Sequence, residues 1–182
     1  MSSFKRRRGG VVVAFDEVEA SLLRHLITEV SDLLQPEPGA GPEAGDPIDE
    51  LAELDLDAPL PEQPTDPVLA RLLPDGYRDD ADSAQEFRRL TESDLRRQKR
   101  ESAGRMLADL PEGGGEVRLD PETTERWLAT LNDVRLALGT RLDVTEDMDE
   151  PDEDDPDAPA YVVYAWLTQL QDVLVQVALE QG

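Results

Sequence analysis

The chain has 182 residues, 42 acidic against 18 basic, giving a formal net charge of −24, with one histidine and no cysteine. A charge of that size repels nucleic-acid phosphates and anionic lipid headgroups, so a surface for either would have to be a local exception. Thiol chemistry, zinc sites and Ser-His-Asp catalysis have almost nothing to work with, and the composition points to a small, soluble, mostly helical protein built to meet another protein.

Hydrophobic residues make up 38% and charged residues 33%, so the chain reads as a core plus a sizeable solvated fraction. After Lys5, Arg6, Arg7 and Arg8, only Val11 to Phe15 are apolar before charges resume. An export signal wants roughly 7–15 apolar residues there, so a cytoplasmic location is expected. Residues 11–15 read as a strand, with Val11, Val13 and Phe15 on one side. Asp16 then caps a helix, with Glu19 three residues on as a capping-box partner. Leu22, Leu23, Leu26, Ile27, Val30, Leu33 and Leu34 follow at helical spacing, and Pro36 closes the element.

Residues 36–66 are dominated by Pro, Gly, Asp and Glu and bury too little to offset their ordering entropy, so a flexible linker is expected. Asp66 and Pro67 open a short helix that Pro74 ends. Helical pattern resumes from Ser83 to Leu110, with Thr91 and Asp94 as a possible second cap dividing it in two. Gly113, Gly114 and Gly115 force a turn. The opening design then recurs: Val117 and Leu119 alternate, Asp120 caps, Pro121 takes the first helical position, and Trp127, Leu128, Leu131, Val134, Leu136 and Leu138 follow. The two strand-to-helix corners predict that their strands pair in a two-stranded ribbon. An acidic loop occupies 143–157, and Tyr161 to Leu179 forms the most apolar helix, read as central. Gln169, Gln171, Asp172 and Gln176 interrupt it, so no membrane span is expected.

Few residues carry a chemical signal. Arg89, Arg96 and Arg100 share a helical face and could grip phosphate or an acidic partner. The simpler alternative is a solvated face paired in cis, with Glu92 four residues before Arg96 and Glu101 four before Arg105. Lys5–Arg8 reads as a solubilising start to an edge strand. The acidic run has prolines and no glycine, unlike a calcium loop, and reads as a self-repelling linker. His25 has no nucleophile or orienting partner to name, which favours a packed or solvent-edge histidine. Asn132, Asp133 and Arg135 put polar groups on an apolar helix, for hydrogen bonds within the fold or for a partner groove. Trp127 and Trp166 read as core anchors. No catalytic residue, metal ligand or cofactor site can be named.

Three strings are distinctive together: Pro67-Val-Leu-Ala-Arg-Leu-Leu-Pro-Asp-Gly-Tyr77, Trp127-Leu-Ala-Thr-Leu-Asn-Asp-Val-Arg-Leu-Ala-Leu-Gly139 and Tyr164-Ala-Trp-Leu-Thr-Gln-Leu-Gln-Asp172. With the strand-to-helix opening they resemble the actinobacterial oxidative-stress transcription regulator family, long catalogued as a domain of unknown function. The resemblance implies a cytoplasmic regulator acting by contact with a stress sigma factor, in a genomic setting of cysteine biosynthesis and a protease adaptor. It also implies a thiol switch, which a chain without cysteine cannot carry, so an oxidative signal would have to arrive through the partner. The expected protein is a single, mainly α domain of about five helices with a small two-stranded ribbon. Its expected function is non-enzymatic regulation through a sigma factor or other transcription component, without direct nucleic-acid or membrane binding. The alternative is a proteolysis-associated adaptor or scaffold.

Overall fold

The computed structural model describes residues 2–7, 10–36, 64–77, 80–145 and 154–181. The linker expected at 36–66 falls almost wholly outside the described residues, as does the middle of the acidic loop expected at 143–157. Among the described residues the order is β1 (Ser3–Arg7), β2 (Gly10–Phe15), α1 (Glu17–Leu33), α2 (Pro67–Leu72), α3 (Ala81–Asp109), β3 (Gly115–Leu119), α4 (Pro121–Arg141) and α5 (Ala158–Gln181). The protein is mainly α, with five helices and a small antiparallel sheet of order β1-β2-β3 among the described residues.

The two corners do pair. β2 and β3 run antiparallel with Val13 opposite Val117 and Val11 opposite Leu119, so the two corners meet about the Val13–Val117 pair, while Phe15, the counterpart of Leu119, lies opposite Gly115. Each strand ends on an aspartate that caps the next helix. Asp16 accepts from the Glu19 N–H while the Glu19 side chain accepts from the Asp16 N–H, and Asp120 accepts from the Thr123 N–H. These backbone bonds hold both carboxyls below the usual aspartate range. Their stabilisation is therefore present above that range and is lost as pH falls through the lowered values. The triple-glycine turn fits against the first corner: Gly114 has φ +80, and a Cβ there would lie 2.7 Å from the Asp16 carbonyl carbon.

The ribbon is three-stranded, not two-stranded, because β1 adds to the free edge of β2 with Phe4 opposite Val13. Its residues, Ser-Phe-Lys-Arg-Arg, show no apolar alternation, and Phe4, the one hydrophobic residue among them, packs against the core. The basic start was expected at an edge strand, and β1 is one; its exposed Lys5 reaches Glu116 of β3 at 2.9 Å.

α3 is one continuous helix of 29 residues capped by Asp80, not two pieces. Thr91 does not recap the chain: its hydroxyl donates back to the Phe87 carbonyl at 2.8 Å, and Asp94 pairs with Arg97. At its far end Arg24 of α1 donates to the Leu107 and Leu110 carbonyls at 3.2 and 2.7 Å, satisfying acceptors that a helix terminus leaves open.

The central helix is α4, not α5. α4 packs against α1, α2, α3 and α5 and buries Thr124, Trp127, Leu131, Val134 and Ala137. The Trp127 ring stacks at 6.0 Å on Phe15, and its Nε1–H donates to Asp109 at 3.1 Å. α5 lies antiparallel to α4: Tyr161 donates to the Leu142 carbonyl, while Tyr164 sits over Gly139, where a Cβ would come within 2.9 Å of the ring. Only Leu167, Leu170, Leu174 and Val177 of α5 are buried, and Val162 and Leu179 are 70% and 77% exposed. Trp166 is half-buried, with its Nε1–H on the Ser2 hydroxyl at 3.2 Å, so of the two tryptophans Trp127 alone is a core anchor. Ala158–Leu179, with mean hydropathy 1.3, is long and apolar enough by length and composition alone to cross a membrane. Gln169, Gln171, Asp172 and Gln176 do not by themselves remove it from that class, which the core helix of a soluble protein also meets.

Candidate functional site

The polar residues singled out on α3 and α4 are brought to different surroundings rather than to one cleft. Asp133 is buried on the side of α4 that meets α3, where the Lys99 ammonium donates to it at 2.6 Å. Burial pushes the Asp133 carboxyl above the ordinary aspartate range, and the bond to Lys99 pulls against that shift. This pair ties the two helices together inside the fold. Asn132 and Arg135 are half-buried and share the helical stripe of Gly139, the stripe that faces α5. The Nε of Arg135 is buried with no hydrogen-bond partner.

The arginines of α3 are largely neutralised by carboxylates of the same helix. Arg96 meets Glu92 at 2.7 Å, and Arg89 meets Glu86 at 3.9 Å. The expected Glu92–Arg96 pairing is thus present, while no Glu101–Arg105 pair occurs among the described residues. Arg89 keeps two nitrogens buried without a partner, and Arg100 is exposed. The three arginines therefore present one open cation and two largely sequestered ones, which is a poor grip for a phosphate backbone.

Arg88 has no sequence signal of its own, yet it is the organising cation. Its side chain is 4% exposed, donates to Asp75 and to Glu92 at 3.0 Å, and points at the Leu73 carbonyl at 3.4 Å. Burial opposes the charge, but the bonds to Asp75 and Glu92 outweigh it and hold the guanidinium above its ordinary value. With Arg96 on the other oxygen of Glu92, the network is Asp75–Arg88–Glu92–Arg96, and it clamps the Pro74–Tyr77 turn onto α3. Gly76 lets that turn lie on Phe87, since a Cβ would come within 2.6 Å of the ring, and Tyr77 meets the same ring edge-on at 5.9 Å. Tyr77, Phe87 and Leu90 remain about half exposed beside it.

His25 is a solvent-edge residue. Its side chain is 69% exposed, with Glu29, one turn along, 3.8 Å away. No group of three or more His, Asp or Glu side chains among the described residues could hold a metal ion. Two small hollows lie among the described residues, about 40 Å³ beside Asp75 and Arg88, and about 20 Å³ between α1 and α4 at Leu26, Leu33 and Val134. Each has room for about a water or two, far less than a drug-sized ligand needs. The arrangement of the described residues can offer charged and apolar surface to a partner.

A family profile described as "Domain of unknown function (DUF2017)" matches residues 1–178. A relative from Mycobacterium leprae is 35% identical over 174 residues, covering 86% of this chain and 77% of its own. Relatives from Mycobacterium bovis and Mycobacterium tuberculosis, both named oxidative stress regulator AosR, are 34% identical over 176 residues, covering 88% of this chain and 78% of theirs. No solved structure matches.

Proposed function

This chain belongs to the DUF2017 family, and from that membership we propose that it is a non-enzymatic, cytoplasmic regulator of oxidative-stress transcription, acting by contact with a stress sigma factor. The observation that carries the reading is its similarity, over 88% of its length, to proteins named oxidative stress regulators. Charge supports the mode of contact. The arginines of α3 are spent largely on Glu86, Glu92, Asp75 and Asp94, so the surplus of acid over base is what a partner meets. A basic helical surface is the natural complement, associating fast and weakening with salt.

Sensing is assigned to the partner. No thiolate or disulfide can form here, and of the three methionines Met106 is fully buried, where peroxide reaches it slowly. A pull-down from lysate with the tagged protein, before and after peroxide, tests the reading. Recovery of a sigma factor, with the same yield whether or not this protein alone was pre-treated, is the expected result. Recovery of a Clp-type component in its place, or tight sequence-selective duplex binding by the purified protein, would overturn it.

A further inference from the structure

We propose that the outer face of α5 is a self-association surface, on which two copies of this chain pair helix against antiparallel helix. Val162, Ala165, Gln169, Asp172, Gln176 and Leu179 are all exposed. They recur at alternating three- and four-residue steps, the a and d positions of a coiled-coil seam. The opposite stripe, Leu167, Leu170, Leu174 and Val177, is already buried in the protein's own core. The outer stripe is thus mixed, apolar at Val162, Ala165 and Leu179 and polar at Gln169, Asp172 and Gln176, and it is left exposed by the described residues.

Charge says what kind of partner fits. Positions flanking such a seam ordinarily hold charged residues that choose a partner; here they are Tyr161, Trp166, Thr168, Val173 and Val175, with Glu180 the one charge, at the C-terminal end. Among residues 158–179 Asp172 is the only charged one, on a protein of net charge −24. Two copies repel each other across most of their surface, and α5 is where they approach at least electrostatic cost. A basic partner gains nothing from so neutral a face.

The pattern also matches itself. In an antiparallel pair Val162 faces Leu179, Ala165 faces Gln176 and Gln169 faces Asp172, each pairing occurring twice about the two-fold axis. Ala165 allows close approach, and the Gln169 amide donates to the Asp172 carboxylate. A parallel pair would instead set Asp172 against Asp172. The polar centre fixes the register, as buried polar residues do in coiled coils, and it is ill suited to lipid, which offers no hydrogen bonds. The seam is about 30 Å long and one helix wide, small for an interface, so dissociation in the micromolar range is expected.

Sedimentation equilibrium of the full chain, from about 1 to about 300 µM and at enough salt to screen its charge, reads the association directly. Mass is expected to rise from 20.2 kDa towards twice that value. Ala165→Lys should weaken pairing about tenfold or more with an unchanged helical circular dichroism spectrum. Adding Gln176→Glu should restore it, since the two residues meet only in the antiparallel register. A wild-type protein monomeric throughout would overturn the proposal, as would an Ala165→Lys protein that still pairs, or a double variant that does not recover. Co-sedimentation of monomer with neutral phosphatidylcholine vesicles, or loss of the monomer's own stability in Ala165→Lys, would overturn it in favour of lipid or of cover from within the chain.

Discussion

Trp127→Ala is expected to be the most damaging single substitution, costing about 3–5 kcal/mol of stability. The indole is fully buried at the centre of α4, is stacked on Phe15, and donates to Asp109 at the end of α3. Removing it empties the place where β2, α3 and α4 converge and leaves the Asp109 carboxylate without its donor. At about 2–4 °C per kcal/mol for a protein of this size, the midpoint of thermal unfolding should fall by roughly 10 °C. Trp127→Phe keeps most of the apolar volume and loses the hydrogen bond, so it should cost about 1 kcal/mol. Calorimetry of the two variants separates the contributions. A Trp127→Ala protein as stable as the parent would mean that the core is not centred on α4.

Arg88→Ala should cost about 2–4 kcal/mol, because it strands Asp75, leaves Glu92 to Arg96 alone and removes a buried side chain that links them. Asp75 and Glu92 retain some access to water, with side chains 32% and 20% exposed, which keeps the penalty below that of a fully buried pair. The loss should be local as well as global. Without Arg88 the Pro74–Tyr77 turn loses its tie to α3, and amide exchange should accelerate at residues 73–77 ahead of β2 and α4. Arg88→Met, which restores volume without charge, should recover little. Urea unfolding showing a loss under about 0.5 kcal/mol would mean that the network behaves as an ordinary surface pair.

The repeated corners were legible in the sequence because aspartate in extended backbone before a helix has a local physical job, and Asp16 and Asp120 both do it. The antiparallel pairing of α4 and α5 is the arrangement that two long helices joined by one loop favour. The place of α5 was not legible. Periodicity tells which residues avoid water, and Val162, Ala165 and Leu179 read the same whether a core, a second copy or nothing covers them. β1 was missed as a pairing strand because Lys5 and its neighbours lack alternation, and an edge needs none.

Part of the candidate site was legible in the sequence. One histidine and no cysteine closed most chemistry at once, and the in-cis pairing of Arg96 with Glu92 was visible as a four-residue spacing. For Asp133 the within-fold reading proved right, with Lys99 as its partner across two helices. Arg88 was opaque because its main partner, Asp75, stands 13 residues away in a turn shaped by tertiary contact. A buried arginine looks like any other charge on a polar helix until the turn that covers it is placed.

The central claim is that this protein regulates by touching a sigma factor through its acidic surface. It is tested most directly by titrating the purified protein against an immobilised stress sigma factor from the same organism while salt rises from about 0.05 to about 0.5 M. The account predicts saturable binding whose association rate falls steeply with salt and whose affinity is the same after this protein alone has been exposed to peroxide. No binding at low salt, or an affinity that changes when only this cysteine-free protein is oxidised, would contradict it.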